Sequence, residues 1–577
     1  MKIVLLYPPP WKIAPFATPN YPPGQGPPAG FDDAAITSGD FLQIPYGLIS
    51  LAAQARRSRM DVDVFNLANA PWPAVESFVH RTRADLFGLS CMTANRRGTA
   101  MVAQLIRDIH PSAHITVGGP HVTALPMETL THVPAVDTVV VGEGETTFMA
   151  LARRMAAGKP VSGLAGTAWR HNGRCHVAPP RPAIENMDSL AAPHDYFDTS
   201  TVLTSRGCPN RCTFCGSSRM WGRRVRYHSA PYVLNMLETA VNRHDRRFIA
   251  FKDDTFTADR RRILKICKGI GERGLKFVWS CDTRVDCLDE KTLAAMRRAG
   301  CVRISLGVES GSPVILKNIR KHFSLDKLAG LTETIQALGM EVRYYMMVGN
   351  RGETVETFLE SLSLMERTRP NRFVFSQLHL YPGTEEFDIF CRHGHVTPEI
   401  FFTRDFFCLT CFAGDRHHEK QIREMLTPLA GVRTCREFGV TDRLATLARF
   451  PDLHLSHVDL CRACLKAGDP DAAEHHLRRA LDLGFFLPGL AHNLLACIAA
   501  QRGDADQANA HLDLAVGHYP HAVVVENLQR LDAWRAAGAK NGCPKLAPGD
   551  GFESTCILRQ PEFPDPIESA CPAPVNG

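Results

Sequence analysis

Three regimes of hydrophobic patterning along one chain predict an α/β protein that ends in helices. Five short, continuously apolar β-rich runs fill the first 155 residues, six longer strand-and-helix alternations fill residues 201–395, and a purely helical pattern follows residue 440. The predicted class is an open doubly wound sheet, then a partial (β/α)6 barrel, then a helical repeat region. At 577 residues the chain is too long for a single core, so about three domains is the natural expectation.

The first regime holds KIVLLY at its start, DVDVFNL at 61–67, DLFGLSCM at 85–92, HITVGGP at 114–120 and DTVVVGEGE at 137–145. Unbroken apolar runs suit parallel strands covered on both faces, and the amphipathic stretches between them suit the covering helices, which gives a Rossmann-like domain over 1–155. A Pro/Gly-rich segment of about 35 residues separates the first strand from IPYGLISLAAQA and is longer than structural connections usually are, so it reads as a functional or mobile loop. Residues 156–200 read as a linker with a small β element, GTAWRHNGRCHV. From 201 to 395, STVLTS, FIAFKDD, FVWSCDTRVD, VRISLGVES, EVRYYMMVGN and RFVFSQLHLY each lead into a helical stretch. In such a barrel the chemistry sits at the carboxyl ends of the strands, where this sequence places Cys208 to Cys215, Asp253 and Asp254, Arg284, Glu309 and the loop after Gly349. Residues 396–440 read as an extension that shapes the substrate side.

Beyond about residue 440 the strand signal stops. LKAGDPDAAEHHLRRALDLGF and AQRGDADQANAHLDLAVGHYP align at a period of 35, pairing Gly468 with Gly503, Ala473 with Ala508, Leu477 with Leu512 and Ala480 with Ala515. Small residues on one face and a Gly-Asp turn between paired helices match the tetratricopeptide pattern, which supplies packing or a surface for a protein partner. Two repeats are fewer than an independent solenoid needs, so residues 441–539 are expected to pack on the barrel or to be completed by a divergent pair in 440–465. Residues 540–577, rich in Pro, Gly and Ser and without periodicity, read as a disordered tail.

Net charge is only +6 over the chain and no dense Lys/Arg block stands out, which argues against nucleic acid or an anionic membrane as the main partner. No run of about 18 apolar residues marks a transmembrane segment, and the apolar start MKIVLLYPPPW is too short for a signal, so the expected location is cytoplasmic. In that reducing compartment most of the 19 cysteines are small buried hydrophobes rather than disulfides.

The exception is SRGCPNRCTFCGSS at 205–218, with Cys208, Cys212 and Cys215 in C-x3-C-x2-C spacing and Phe214 just before the last. A zinc knuckle needs a fourth Cys or His at short range, and the nearby His228 in RYHSAP reads instead as part of a helix start capped by Ser229. Three thiolates on one tight loop can hold three irons of a 4Fe-4S cube and leave the fourth iron open for a ligand. Cys408 and Cys411 in FFCLTCF lack two further ligands nearby and read as a buried turn. Cys461 and Cys464, on a helix beside small residues, read as packing.

The cysteine spacing, at the end of a barrel's first strand and with Phe214 in the last gap, resembles the radical S-adenosylmethionine (SAM) superfamily. There the amino and carboxylate groups of SAM chelate the unique iron, and one-electron cleavage of the sulfonium gives a 5′-deoxyadenosyl radical. What the resemblance implies downstream is present as FKDDTFT, SCDTRVD, SLGVESGS and MMVGNRGET after the second to fifth strands. For such a ligand Asp254 and Glu309 suit the ribose hydroxyls or the amino group, Arg284 the carboxylate, and Gly307 and Gly349 a close backbone approach. Each is also a place for a plain salt bridge or turn. Asn350-Arg351-Gly352-Glu353 departs from the apolar residue and proline that relatives typically have.

The amino-terminal domain asks for its own ligand, because a doubly wound sheet binds cofactors at the carboxyl ends of its strands. There stand Ser90 and Thr93 in SCMTAN, Gly118, Gly119, Pro120, His121 and Thr123 in GGPHVT, and Gly142, Glu143, Gly144 and Glu145 in GEGETT. No G-x-G-x-x-G nicotinamide fingerprint follows the first strand. With the downstream motifs, GGPH and GEGE resemble the cobalamin-binding domain of B12-dependent radical SAM enzymes, a resemblance covering roughly residues 1–395. Asp108-Ile-His110-Pro-Ser-Ala113 is a near match to the axial-histidine motif D-x-H-x-x-G, but it lies between a helix and the fourth strand and reads as a helix end before Pro111. His121 reads as a polar loop residue lining the corrin site. The resemblance therefore implies base-off cobalamin with no protein histidine on cobalt.

Together these resemblances imply an enzyme that methylates an sp3 carbon, or less often an aromatic carbon or phosphinate phosphorus, of a small molecule or lipid intermediate. One SAM makes the radical, methylcobalamin gives it a methyl group by homolysis, and a second SAM remethylates cob(I)alamin, with electrons from a low-potential donor such as ferredoxin or flavodoxin. The runner-up is a non-methylating relative, an oxidative cyclase or a rearrangement enzyme. A different class of reading is an adaptor or carrier-protein-docking module with a degenerate cobalamin domain.

Overall fold

In this computed structural model the described residues are 1–9, 46–68, 70–403, 435–518, 522–537 and 543–549. The long Pro/Gly segment, most of the 396–440 extension with Cys408 and Cys411, and the chain beyond 549 lie outside them.

The first sheet holds β1 (Lys2–Tyr7), β2 (Asp61–Asn66), β3 (Leu86–Ser90), β4 (His114–Gly118), β5 (Thr138–Val140), β6 (Thr167–His171) and β7 (Arg174–Val177). Their order is β2-β1-β3-β4-β5-β6-β7. The first five run parallel, with Ile3 opposite both Val62 and Leu86. KIVLLY is apolar throughout because successive side chains enter two different cores. Val4 and Leu6 pack with Phe78, Val102 and Ile106, while Ile3, Leu5 and Tyr7 pack with Leu48, Ala52, Phe148 and Leu151. The small β element expected at GTAWRHNGRCHV is present as β6 and β7; β6 pairs antiparallel with β5, and β7 with β6, so these residues extend the first sheet where the sequence reading placed them in a linker.

The second sheet is parallel, with strands β8 (Thr201–Val202), β11 (Phe248–Phe251), β12 (Val278–Thr283), β13 (Cys301–Glu309), β14 (Glu341–Val348) and β15 (Arg372–Gln377) in sequential order. A two-stranded antiparallel ribbon, β9 (Ser205–Arg206) and β10 (Arg226–Tyr227), stands between β8 and β11 in the chain. Five helices between the parallel strands each begin with a side chain that accepts a hydrogen bond from the helix: Ser229, Asp259, Asp289, Ser324 and Thr354. Ser229 thus caps its helix as the sequence predicts, and His228 beside it bonds Asp188 at 3.2 Å.

Among the described residues beyond 439, six helices stand at 440–449, 454–467, 470–482, 488–501, 505–518 and 522–536. The small-residue face lies inside: Ala473, Leu477, Ala480, Ala508, Leu512 and Ala515 are fully buried, as is Cys461, with Cys464 nearly so. This core is continuous with Val278 and Val302 at the amino ends of β12 and β13. An ion pair of 2.7 Å between buried Arg297 and Asp459 ties the helices to the barrel. The disordered-tail reading is corrected for residues 543–549, which dock on these helices: Leu546 is buried, Ala547 N donates to Asn527 Oδ1 at 2.7 Å and Asn527 Nδ2 to Ala547 O at 2.8 Å. No helix among the described residues is long and apolar enough to cross a membrane.

Buried neutral histidines make the fold acid-sensitive. Burial holds His194 down to about 4 and, with Arg96 nearby, His121 to about 3, whereas an unfolded histidine titrates near 6.5. As pH falls below about 6.5 the unfolded chain takes up protons that the native chain refuses, so stability drops by up to about 1.4 kcal/mol per pH unit for each such residue. Urea midpoints at about pH 7 and about pH 5 are expected to show the lower stability at the acid value.

Candidate active site

Where β9 ends, the chain turns sharply at Gly207, whose φ is +99°; a Cβ there would stand 2.5 Å from the carbonyl oxygen of Arg224. The cysteine loop follows. Backbone bonds from Thr213 N to Ile319 O (3.1 Å) and from Glu386 N to Thr213 O (2.9 Å) pin it over the barrel mouth. Cys208, Cys212 and Cys215 are free thiols of intermediate exposure, and Phe214 packs toward Leu316, Ile319, Met347 and Leu378. Burial pushes Cys215 up to about 11, with Asp254, Cys212 and Cys208 adding to the rise. Burial also raises Cys212, while Lys321 and Arg284 pull it down. A positively charged iron cluster relieves this mutual repulsion. Three free thiols on one loop, at C-x3-C-x2-C spacing, are a donor set that fits a cube in which each takes a different iron.

The barrel-end residues gather around that loop. Asp254 accepts from Ser217 Oγ at 2.5 Å, which joins the end of β11 to the turn after Cys215, and burial raises its carboxyl. Asp253 is buried, its Oδ1 accepting from Thr204 N and Oγ1 (both 2.9 Å) and from Ser205 Oγ (2.5 Å). Arg284 is buried, pairs with Asp286 at 3.0 Å and donates to His322 O at 3.1 Å. Glu309, at φ +70°, bonds Lys321 Nζ at 3.0 Å. Lys321 is a cation that sequence reading missed. A Cβ on Gly307 would lie 2.7 Å from Glu309 Oε1 and 2.8 Å from Lys321 Nζ, so this glycine makes room for the pair. Gly307→Ala is expected to displace both side chains and raise the KM for SAM by about tenfold or more, measured as initial 5′-deoxyadenosine formation at graded SAM. At Gly349 (φ +82°) the N–H is taken by Glu353 Oε2 at 2.5 Å, and Asn350 N donates to the same oxygen at 3.1 Å. Glu353 thus supports the turn at Gly349.

A cavity of about 300 Å³ opens between the two sheets. Ser90, Gly118, Gly119, Pro120, Gly142, Gly144 and Glu145 line it from the first domain, and Ser205, Arg206, Trp221, Lys252 and Asp254 from the barrel. Gly119 (φ +115°) lets the GGP turn press against the end of β3, since a Cβ there would meet Cys91 O at 2.5 Å. Gly142 (φ +79°) donates its N–H to Thr123 Oγ1 at 3.1 Å. Three of the expected cofactor residues are placed elsewhere. Thr93 and His121 are not among the lining residues: Thr93 Oγ1 and His121 Nδ1 bond each other at 3.1 Å, with His121 edge-on to Phe401. The sequence reading of His121 as a lining residue is therefore corrected; its neighbour across the ring is an aromatic of the extension. Glu143 likewise turns from the cavity, to Arg226, Arg206 and the backbone N of Ile184 at 3.1 Å. His110, its Nε2 2.9 Å from Val79 O, ends the helix 96–109 as expected. Arg206, Trp221 and Lys252 are lining residues the sequence reading passed over, although Arg206 and Lys252 lie within motifs it quoted.

Residues 34–152 match the B12-binding domain family and residues 202–365 the radical SAM superfamily. An uncharacterized methyltransferase of Pyrococcus horikoshii is 30% identical over 353 residues, covering 59% of this chain and 77% of that one. The anaerobic magnesium-protoporphyrin IX monomethyl ester cyclase of Rubrivivax gelatinosus is 27% identical over 55% of this chain, which spans only 62% of that protein's length. In fold the chain is similar to the radical SAM methyltransferase TsrM of Kitasatospora setae, solved with cobalamin and a 4Fe-4S cluster, at a TM-score of 0.55 and 16% identity, covering 68% of this chain and 75% of that one. The cysteine loop, the barrel ends and the shared cavity belong together in one kind of protein: the chain is a member of the B12-binding radical SAM enzyme family.

Proposed function

We propose that this enzyme methylates an unactivated carbon of a small molecule or lipid intermediate. The reading is carried by the one cavity whose wall is built on one side by Gly118, Gly119, Gly142 and Gly144 and on the other by Asp254 and by Arg206, two residues before Cys208. A 4Fe-4S cluster with SAM at the cysteine loop would supply a 5′-deoxyadenosyl radical, and methylcobalamin against the glycine-bordered wall would supply the methyl group. The chain's own part is placement. Cys208, Cys212 and Cys215 hold the cluster, Arg284 and Lys321 offer charge to a carboxylate, and Asp254 and Glu309 offer acceptors to an amino group or ribose. The glycine-bordered, mainly apolar wall admits a flat macrocycle and keeps water away. Cobalamin is read as bound base-off, without a protein histidine on cobalt. A low-potential donor such as a ferredoxin or flavodoxin feeds the cluster, in the cytoplasm, and the helical region, tetratricopeptide-like in its 35-residue alignment, offers a surface for a protein partner.

The test is anaerobic reconstitution with iron, sulfide and hydroxocobalamin, then SAM and a reductant. About four irons and one corrin per chain are expected, with 5′-deoxyadenosine and S-adenosylhomocysteine as products and a cob(II)alamin spectrum free of nitrogen splitting. Radical formation with corrin bound but no methyl transfer to it would favour a cyclase-type or rearrangement reaction. Uptake of neither iron nor corrin would leave the adaptor reading.

A further inference from the structure

The two faces of the cavity are joined by a cluster of four buried charges. Arg206 and Arg226 are directly paired across the β9–β10 ribbon, and both point at the GEGE loop of the first domain. Arg206 binds both oxygens of Glu145, one at 3.2 Å and one in a shorter contact, and reaches Glu143 at 3.5 Å. Arg226 binds the other Glu143 oxygen, and Ser50 Oγ donates to Glu145 at 2.7 Å. All four charged side chains are less than a tenth exposed. The Arg206 guanidinium also lies 4.9 Å over the Trp221 ring, another lining residue.

Two arginine forks against two carboxylates balance in charge, and a buried guanidinium–carboxylate pair fixes angle as well as distance. The connection is short. On one side Glu145 is one residue beyond Gly144 of the cavity wall; on the other Arg206 is two residues before Cys208. The GEGE carboxylates, which the sequence offers to a cofactor, are thus occupied by the barrel.

We propose that Arg206 is a positioning residue that, through Glu145 and Glu143, locks the cysteine loop against the corrin-side loop and so sets the separation of the two cofactors. This rests on the B12-dependent reading above. Fixing that separation matters because transfer between two bound groups falls steeply with small misplacement.

The test needs no substrate. Reconstituted wild type, Arg206→Lys, Arg206→Gln, Glu145→Gln and the double Gln variant are compared for iron and corrin content, abortive 5′-deoxyadenosine formation, and SAM-dependent conversion of cob(I)alamin to methylcobalamin. Frozen-solution relaxation of the cob(II)alamin signal by the reduced cluster reports their separation, and hydrogen exchange of 143–146 and 205–208 is followed in the apo chain. Arg206→Gln and Glu145→Gln are expected to slow methylcobalamin formation by at least about tenfold and weaken the spin interaction, with iron content and 5′-deoxyadenosine formation held within about twofold. The double variant should be no worse than either single one, Arg206→Lys should recover part of the loss, and both loops should exchange faster. The proposal is overturned if methylcobalamin formation and the spin interaction stay at wild-type values, or if iron, radical and methyl transfer all fall together in Arg206→Lys as well. A wild-type protein that takes up no corrin or forms no methylcobalamin would instead sink the B12 reading itself.

Discussion

Replacing Cys212 with alanine is expected to abolish 5′-deoxyadenosine formation, to the level of a control without enzyme, while leaving the fold intact. The thiol is half-buried on a loop whose neighbours Thr213 and Cys215 are fixed by backbone bonds, so the loop does not depend on the sulfur for its shape. What it loses is one of three anionic ligands: of the charged groups that act on it, Lys321 and Arg284 are cations that cannot bind iron, and the Glu309 carboxylate is engaged by Lys321. Circular dichroism and corrin uptake should match wild type, whereas iron per chain should fall well below four. A variant that keeps its iron and its radical chemistry would show that the cluster is held elsewhere.

The second large effect falls on the other half of the cavity. Gly119→Ala puts a Cβ 2.5 Å from a backbone carbonyl at a φ of +115°, and neither neighbour can yield without moving the end of β3. Strain of this kind costs roughly 1–3 kcal/mol, which corresponds to about 5- to 150-fold in corrin affinity if the GGP turn shifts to relieve it. Iron uptake, which depends on the barrel, should be unchanged. Equilibrium dialysis with hydroxocobalamin, beside an iron assay on the same samples, separates the two. Gly118 is the internal control, because a Cβ there meets only ordinary contacts at 3.7 Å.

Much of this architecture is legible in the sequence, and for definite reasons. The strands of the first sheet read as solid apolar runs because both faces are covered, and the barrel strands announce themselves by polar clusters at their carboxyl ends. The cysteine loop is legible because three thiols at that spacing have few other uses. Pairings over long distances are not. TAWRH looks like a strand, but nothing local tells that its partner is β5, so residues 167–177 read as a small β element within a linker and not as part of the first sheet. Lys321 and Arg206 look like surface cations until the fold brings Glu309 and Glu145 to them. Glu143 erred in the opposite direction: between two glycines at a strand end it resembles a ligand contact, yet its oxygens are engaged by Arg226 and Ile184. His121 was misplaced for the same cause, since its aromatic neighbour Phe401 is 280 positions further along the chain.

The core shared by the carboxyl-terminal helices with Val278 and Val302 reaches the starts of two strands whose far ends lead to Arg284 and Glu309. Those helices are therefore a floor under the barrel and not a removable attachment. A cut after the barrel at residue 439 would strip apolar cover from the very strands that frame the iron site, and heating the intact protein should release iron in step with the melting of helices that touch no cofactor.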